Sequence, residues 1–373
     1  LWYLRMIVAP STHALGLYHD DFPISRGLFQ PATTLPALLA VFGLIATGFA
    51  LLRRAPLVGF GILWFFTGQL MESTVFPLLI VQEQRNYLAD YGILLALAYA
   101  GYRLAVRTEL RVILRTAAVG FLALFFTTTL MRASHWSNPV EQALYAVRHH
   151  PHSAENAYLL GRVYGTAMLQ GHATDPAPAL SALERAARLG RSIMPEAALL
   201  LLSGKLDLPT DPAWIASILR KLTATPMRSP DLSALSNLLL CVESHHCPLH
   251  APTVEKILQA AFRSPNLDRS PGNLSTLLTI YGQYEINTRK NMAAGVLALE
   301  RAVSVSSTVA QYRINLINLL LVMGKVPAAS RELAALRRLN RFGTLTDVIG
   351  PVARDIERAR RAEISRKRIA PPT

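Results

Sequence analysis

A polar stretch between two long apolar runs contains the residues best suited to chemistry. Glu72 lies near the end of the first run, and Glu83, Arg85 and Tyr87 precede the next. Charged side chains beside segments of bilayer length are costly unless they lie at the membrane surface or face a polar cavity. The residues alone favour the first interpretation, with Arg85 and Tyr87 anchored at the level of the lipid headgroups. The second interpretation makes all four residues candidates for ligand binding.

Two histidine-containing stretches have residue types that bind metals. The first runs from His19 to Asp21, and the second runs from His149 to His152. Three adjacent residues seldom converge on one ion, and Pro151 interrupts the helical spacing that would bring the second group together. We therefore interpret the first stretch as an ordinary surface loop and the second as a loop of solvated histidines. A metal site is the alternative for each.

Cysteines are few, because Cys241 and Cys247 are the only two in the chain. They lie close together in the sequence, between two predicted helices. In an oxidising compartment this spacing favours a disulfide that closes a short loop. Free thiols are one alternative, and a metal site that adds His245 or His246 and His250 is another.

The composition indicates that membrane helices position the first group of residues. Of the 373 residues, 51% are apolar and only 17% are charged, and the mean hydropathy is positive at +0.28. A soluble protein of this length rarely has such a composition. Four apolar runs are each near the length needed to cross about 30 Å of hydrocarbon. These predicted spans cover residues 34–52, 57–76, 90–106 and 112–131.

Arginines predict how this membrane domain, residues 1–131, is oriented. Arg53 and Arg54 lie on the same side as the arginine cluster at 103–115, because two spans separate the two groups. The positive-inside rule places that side in the cytoplasm. The stretch with Glu83 and everything after Arg132 then lie outside the cytoplasm. We therefore expect a bacterial inner-membrane protein with a periplasmic C-terminal domain.

Residues 132–348 have the pattern of a helical repeat domain. Ala157, Leu160, Gly161 and Tyr164 match the first helix of a tetratricopeptide repeat, in which the glycine lets the paired helix approach closely. Further predicted helices follow in pairs, which favours an α-solenoid whose concave face binds a peptide or protein partner. A purely structural spacer is the alternative. This half lacks a basic face with interleaved aromatic residues, so we expect no nucleic-acid partner despite the net charge of +14.

A basic tail, residues 349–373, follows the repeat domain. It contains Arg358, Arg360, Arg361 and Lys367 among other basic residues. Such a tail is usually the solvated end of a helix, and contact with anionic lipid or an anionic polymer is the alternative.

Several short blocks resemble those of one group of membrane proteins. The blocks are 61–66 (Gly-Ile-Leu-Trp-Phe-Phe), 72–74 (Glu-Ser-Thr), 83–88 (Glu-Gln-Arg-Asn-Tyr-Leu) and, upstream, 19–27. They resemble bacterial tetratricopeptide-repeat membrane proteins related to GT-C glycosyltransferases, which are distant kin of the transmembrane and tetratricopeptide-repeat O-mannosyltransferases. The usual block reads roughly Glu-His-Arg-Asn-Tyr-Leu-Pro-Ser. Gln84, Ala89 and Asp90 depart from it in this chain.

The resemblance implies transfer of a sugar from a polyprenyl-phosphate donor at the outer membrane face. For such a donor we hypothesise that Arg85 contacts the lipid phosphate, and that Glu83 orients Arg85 or binds an acceptor hydroxyl. The catalytic acid of that superfamily lies in the first extracytoplasmic loop. The first ten residues here resemble the end of a helix, so we expect a fragment that lacks this acid.

The residues themselves indicate no cofactor, and a divalent metal is expected only if the chain belongs to an active glycosyltransferase. The expected partners are membrane lipid, the lipid-linked donor, and a protein or peptide on the repeats. The alternative function is a membrane-anchored, non-enzymatic scaffold for proteins of the cell envelope.

Overall fold

The computed structural model describes residues 1–74, 81–107, 109–247 and 249–369. Within these residues the regular structure is helical, apart from an isolated antiparallel bridge between Gly27 and Gln30. The all-α class expected from the sequence is therefore confirmed. The chain forms two compact units, Leu1–Gly190 and Arg191–Thr373.

The first unit contains four apolar helices, preceded by a short helix and followed by three more helices. Their bounds are α1 Trp2–Val8, α2 Thr34–Leu51, α3 Pro56–Thr74, α4 Tyr87–Arg107, α5 Arg111–Trp136, α6 Pro139–His149, α7 Ala154–Leu169 and α8 Ala177–Leu189, with a 3₁₀ turn at Glu83–Asn86. The four predicted spans correspond to α2–α5, although the predicted end of the second span at 75–76 lies outside the described residues. This unit extends beyond residue 131, and the functional division predicted there stays a prediction.

Two of these helices, α2 and α5, are long and apolar enough to cross a membrane. Their best 18-residue windows have mean hydropathies of 2.0 and 1.7. The segment Pro56–Leu70 of α3 is apolar but shorter, and α4 contains Asp90 and Arg103. Length and composition of the described helices thus support two spans, and the count of four remains a proposal.

Contacts with the α2–α3 segment hold α4 in place. A side-chain carbon added to Gly61 of α3 would lie 2.2 Å from the carbonyl oxygen of Gly92 in α4, so only glycine fits there. Small residues at such a contact let two membrane helices approach closely. Near the other end of α4, Arg103 donates a hydrogen bond of 2.9 Å to the carbonyl oxygen of Arg54. Arg54 and Arg103, two of the arginines expected on one membrane face, therefore lie together, and the orientation itself stays a prediction.

Local signals read from the sequence are visible in α6–α8. The Asn138 side chain caps α6 by accepting hydrogen bonds from the backbone N–H groups of Val140, at 2.9 Å, and Glu141, at 3.4 Å. A side-chain carbon on Gly161 of α7 would lie 2.6 Å from Leu183 Cγ of α8. The missing side chain at Gly161 thus permits the close helix pair that its position in the repeat pattern predicts.

The second unit is a succession of helices that pack mainly on helices near them in sequence. Their bounds are α9 Met194–Lys205, α10 Pro212–Ala224, α11 Ser229–Glu243, α12 Ala251–Phe262, α13 Pro271–Asn287, α14 Met292–Val305, α15 Ala310–Val322, α16 Val326–Leu339 and α17 Thr346–Ile369. Helix α9 packs on α10 and α11, α11 on α13, α13 on α14, and α14 on α15. Packing between near neighbours is typical of helical repeats, and a continuous solenoid remains a proposal.

Two further predictions concern the second unit. Cys241 and Cys247 form a disulfide with a Cα–Cα distance of 5.3 Å, which is the pairing expected from their spacing. The predicted basic tail begins within α17, whose buried Ile349, Val352 and Ile356 pack against the core. The side chains from residue 364 onward lie outside the described residues.

Candidate functional site

The carboxylate of Glu83 holds together three distant parts of the first unit. One oxygen accepts a hydrogen bond of 2.8 Å from the Gly16 backbone N–H and lies 3.3 Å from His19 Nε2. The other oxygen accepts a hydrogen bond of 2.6 Å from the Arg132 guanidinium, near the end of α5. The Glu83 and Arg132 side chains are only 18% and 27% exposed. Glu83 therefore joins the 3₁₀ turn before α4 to the N-terminal loop and to α5.

The surroundings of Glu83 favour its charged form. Burial alone would raise the pKa of this carboxyl, because a buried charge loses its hydration. The hydrogen bonds from His19 and Arg132, the positive charge of Arg132 and the Gly16 N–H together outweigh burial. The pKa of Glu83 is consequently lowered, and the residue is an ionised anchor at neutral pH.

The loop from His19 to Asp21 is built into the fold and is not the ordinary surface loop that we expected. His19 is buried, with 8% of its surface exposed. The Asp20 carboxylate caps α7, since it accepts hydrogen bonds from the Ser153 hydroxyl and from the Ala154 N–H, the latter at 2.8 Å. An anionic cap suits a helix N-terminus because free N–H groups and the positive end of the helix dipole meet there. Residues far apart in sequence make this contact, so local spacing did not reveal it.

The histidines at 149–150 are also packed, which corrects the expectation of a solvated loop. His150 Nδ1 lies 3.2 Å from an Asp21 carboxylate oxygen. The His149 ring lies 4.1 Å from the Tyr145 ring and 4.5 Å from the His13 ring, between centroids. His152 remains exposed. Docking of the N-terminal loop onto the α6–α7 corner buries rings that the sequence alone presents as free.

A second polar chain runs beside Glu83. Gln69 of α3 donates a hydrogen bond to the Asn86 side chain, which in turn donates to an Asp90 carboxylate oxygen. Asn86 is 4% exposed. The second Asp90 oxygen, Oδ2, accepts no hydrogen bond from the described residues. Asp90 therefore keeps one oxygen available for a ligand.

Glu83, Asn86 and Asp90 line a cavity of about 220 Å³ to which α1, α4 and α5 contribute. Its polar and aromatic lining also includes Trp2, Tyr3, Phe125, Thr128, Thr129 and Arg132. Among the described residues that line it, Arg132 is the only cation, and Glu83 already neutralises it. Carboxylates, an amide and aromatic rings together suit a hydroxyl-rich ligand, because carboxylates accept hydrogen bonds from hydroxyls and rings cover the apolar faces of a sugar.

The structure brings together only part of the predicted site. Glu83 lines the cavity, whereas Arg85 is half-buried and is absent from the described lining, as is Tyr87. Tyr87 is 85% exposed, and Gln84 is also exposed. Glu72 falls in the last turn of α3, but its side chain lies outside the described residues. Glu83 accepts a hydrogen bond from Arg132, and orientation of Arg85 by Glu83 stays a prediction.

Sequence reasoning missed most of the polar and aromatic lining of the cavity, including Asn86, Asp90 and Arg132. Asn86 and Asp90 are four residues apart at the start of a helix, a spacing that brings side chains together. An acidic residue inside an apolar run is also a signal of function. Arg132 carried no such signal, because its partner Glu83 is 49 positions away.

Within the part of the chain that the structure describes, no group of three or more histidine, cysteine or acidic side chains is placed to hold a metal ion. Neither models of known protein families nor curated proteins gave a match to this chain.

Proposed function

We propose that this chain is part of a membrane glycosyltransferase of the GT-C-like kind, and that its cavity binds the sugar end of a lipid-linked substrate. The observation that carries the proposal is the open oxygen of Asp90 in a cavity that Trp2 and Tyr3 also line. The resemblance of the blocks at 61–66 and 83–88 supplies the reaction class. In this proposal the cavity contributes substrate binding.

The cavity favours sugar hydroxyls over the lipid phosphate. A phosphate binds best to cations that have no other anionic partner. The cation of this cavity, Arg132, is already paired with Glu83, and Asp90 adds a second carboxylate. We therefore place the sugar in the cavity, and contact between Arg85 and the phosphate remains a prediction.

Transfer breaks the bond between the anomeric carbon and the phosphate oxygen, and it forms a bond from that carbon to an acceptor oxygen. The polyprenyl phosphate leaves with the electron pair, and the acceptor hydroxyl gives its proton to a base. In this scheme Asp90 Oδ2 accepts a hydrogen bond from a sugar hydroxyl and fixes the orientation of the ring.

The test is donor binding and transfer by the full-length protein in lipid nanodiscs. A polyprenyl-phosphate hexose should raise the melting temperature, whereas polyprenyl phosphate alone should raise it less. Asp90→Asn should weaken hexose binding about tenfold, because a hydrogen bond to a charged group contributes about 1.5–3 kcal/mol. The matched control is Glu109→Gln, which removes an exposed carboxylate after α4.

Two outcomes would refute the proposal. One is equal stabilisation by the hexose donor and by polyprenyl phosphate alone. The other is donor-dependent transfer to membrane acceptors at the same rate in wild type and Asp90→Asn.

A scaffold is the second candidate function, favoured by a different observation. Glu83 uses both oxygens to hold the fold together, as a structural residue does, and the second unit is a run of packed helices. A scaffold would keep its cellular role in Asp90→Asn and lose it when residues 191–373 are deleted. Loss of that role in Asp90→Asn would favour the enzyme.

A further inference from the structure

The turn between α16 and α17 presents an unusual combination of exposed residues. Arg337 and Arg338 lie in the last turn of α16, and Arg341 and Phe342 follow it. All four are exposed, and Phe342 is 91% exposed. Residues 341–344 are all exposed, so the ring of Phe342 protrudes from the unit. We call residues 337–342 the basic corner.

The arginines of the basic corner form no ion pair with any carboxylate that the structure describes. Other arginines nearby are paired, as Arg313 is with Glu332 and Arg358 is with Asp355. Across the described ranges, no carboxylate lies within 4.0 Å of the guanidinium groups of the three corner arginines. Three exposed arginines thus lie within five positions of one protruding aromatic ring in the sequence.

We propose that the basic corner binds the surface of an anionic phospholipid bilayer. Guanidinium groups bind lipid phosphates through paired hydrogen bonds, and aromatic rings are favoured at the level of the headgroups. A protruding ring can enter a bilayer surface, whereas it offers a peptide partner no groove. This inference goes beyond the proposed function and does not depend on the cavity.

The test uses the full chain reconstituted in nanodiscs of neutral phosphatidylcholine, so that the corner is free to bind added vesicles. Co-flotation should show binding to vesicles that contain phosphatidylglycerol and none to vesicles of phosphatidylcholine alone. The triple variant Arg337→Gln, Arg338→Gln, Arg341→Gln should bind about 100-fold more weakly, because each basic residue near an anionic surface contributes roughly fivefold. Added salt should weaken wild-type binding, because it screens these charges.

A matched triple variant distinguishes an effect of the basic corner from an effect of lower net charge. Arg220→Gln, Arg263→Gln and Arg269→Gln remove three exposed arginines elsewhere in the same unit and should leave binding nearly unchanged. The proposal is overturned if this control weakens binding as much as the corner variant, or if wild type binds neutral and anionic vesicles alike. It is also overturned if wild type binds a soluble acidic polypeptide but no vesicle.

Insertion of the ring is tested with Phe342→Cys. Cys241 and Cys247 are joined in a disulfide, so this variant offers a single free thiol for a polarity-sensitive dye. The dye emission should shift to shorter wavelength with anionic vesicles and stay unchanged with neutral ones. An unshifted emission in the presence of bound anionic vesicles would contradict insertion at this corner.

Discussion

Replacement of Glu83 by glutamine should destabilise the first unit, because it removes the charge that Arg132 faces. Breaking a fully buried ion pair costs about 3–5 kcal/mol. Here the side chains are 18% and 27% exposed, so water screens part of the loss, and we expect about 2 kcal/mol. For a unit of this size that corresponds to a fall of roughly 4–8 °C in melting temperature.

The pH dependence of that loss follows from the lowered pKa of Glu83. A carboxyl whose pKa is lower in the folded state stabilises the fold at pH values above its ordinary value of 4.5. The stabilisation disappears as the pH falls through the lowered folded value. The difference in melting temperature between wild type and Glu83→Gln should therefore be constant near neutrality and shrink in acid.

The assay is thermal unfolding of the full-length protein in nanodiscs across that pH range. The single variants Glu83→Gln and Arg132→Gln and the double variant form a cycle, whose coupling energy should be about 2 kcal/mol. Glu109→Gln, which alters an exposed carboxylate of the same unit, should have the same melting temperature as the wild type. Additive effects of the two single changes, or a gap that persists unchanged in strong acid, would refute the reasoning.

Three further changes test other contacts. Gly161→Ala should lower the free energy of unfolding by about 1–3 kcal/mol, because its new carbon would lie 2.6 Å from an α8 side chain. The control Gly272→Ala meets nothing within 4 Å and should have the melting temperature of the wild type. Reducing the disulfide between Cys241 and Cys247 should lower the free energy of unfolding in denaturant by about 2 kcal/mol. Without reductant the protein should weigh two hydrogens less than its sequence, and a mass that includes both hydrogens would contradict the pairing. Asp20→Ala should cost about 1 kcal/mol through loss of the α7 cap, and unchanged amide exchange at the start of α7 would refute that role.

Local patterns in the sequence were sufficient to find the helices. Apolar runs of bilayer length located α2–α5, and the spacing of residues 157–164 located α7. These signals act within one or two turns of chain, so spacing alone reveals them. The close approach at Gly161 was equally readable, because the repeat pattern fixes which face of α7 meets α8.

The candidate site was harder to predict because it depends on contacts between distant segments. Glu83 stood out as a charge near a membrane face, but its partner Arg132 lies 49 positions away. Asp20 looked like a loop residue because α7, the helix that it caps, begins 134 positions later, at Ala154. Arg85 was linked to Glu83 only through the hypothesis for a lipid-phosphate donor, and no contact between the two was expected from their spacing.

The cap that Asp20 places on α7 decides where this protein can be cut for expression. A fragment that begins after the last apolar helix would lack Asp20 and the Tyr18 carbonyl oxygen, which accepts a hydrogen bond of 3.1 Å from Asn156. Its α7 would then keep only the Ser153 cap, and His149 would lose its contact with the His13 ring. A fragment that begins at Arg191 contains neither side of these contacts and matches the second compact unit, so it is the shorter piece that we expect to fold.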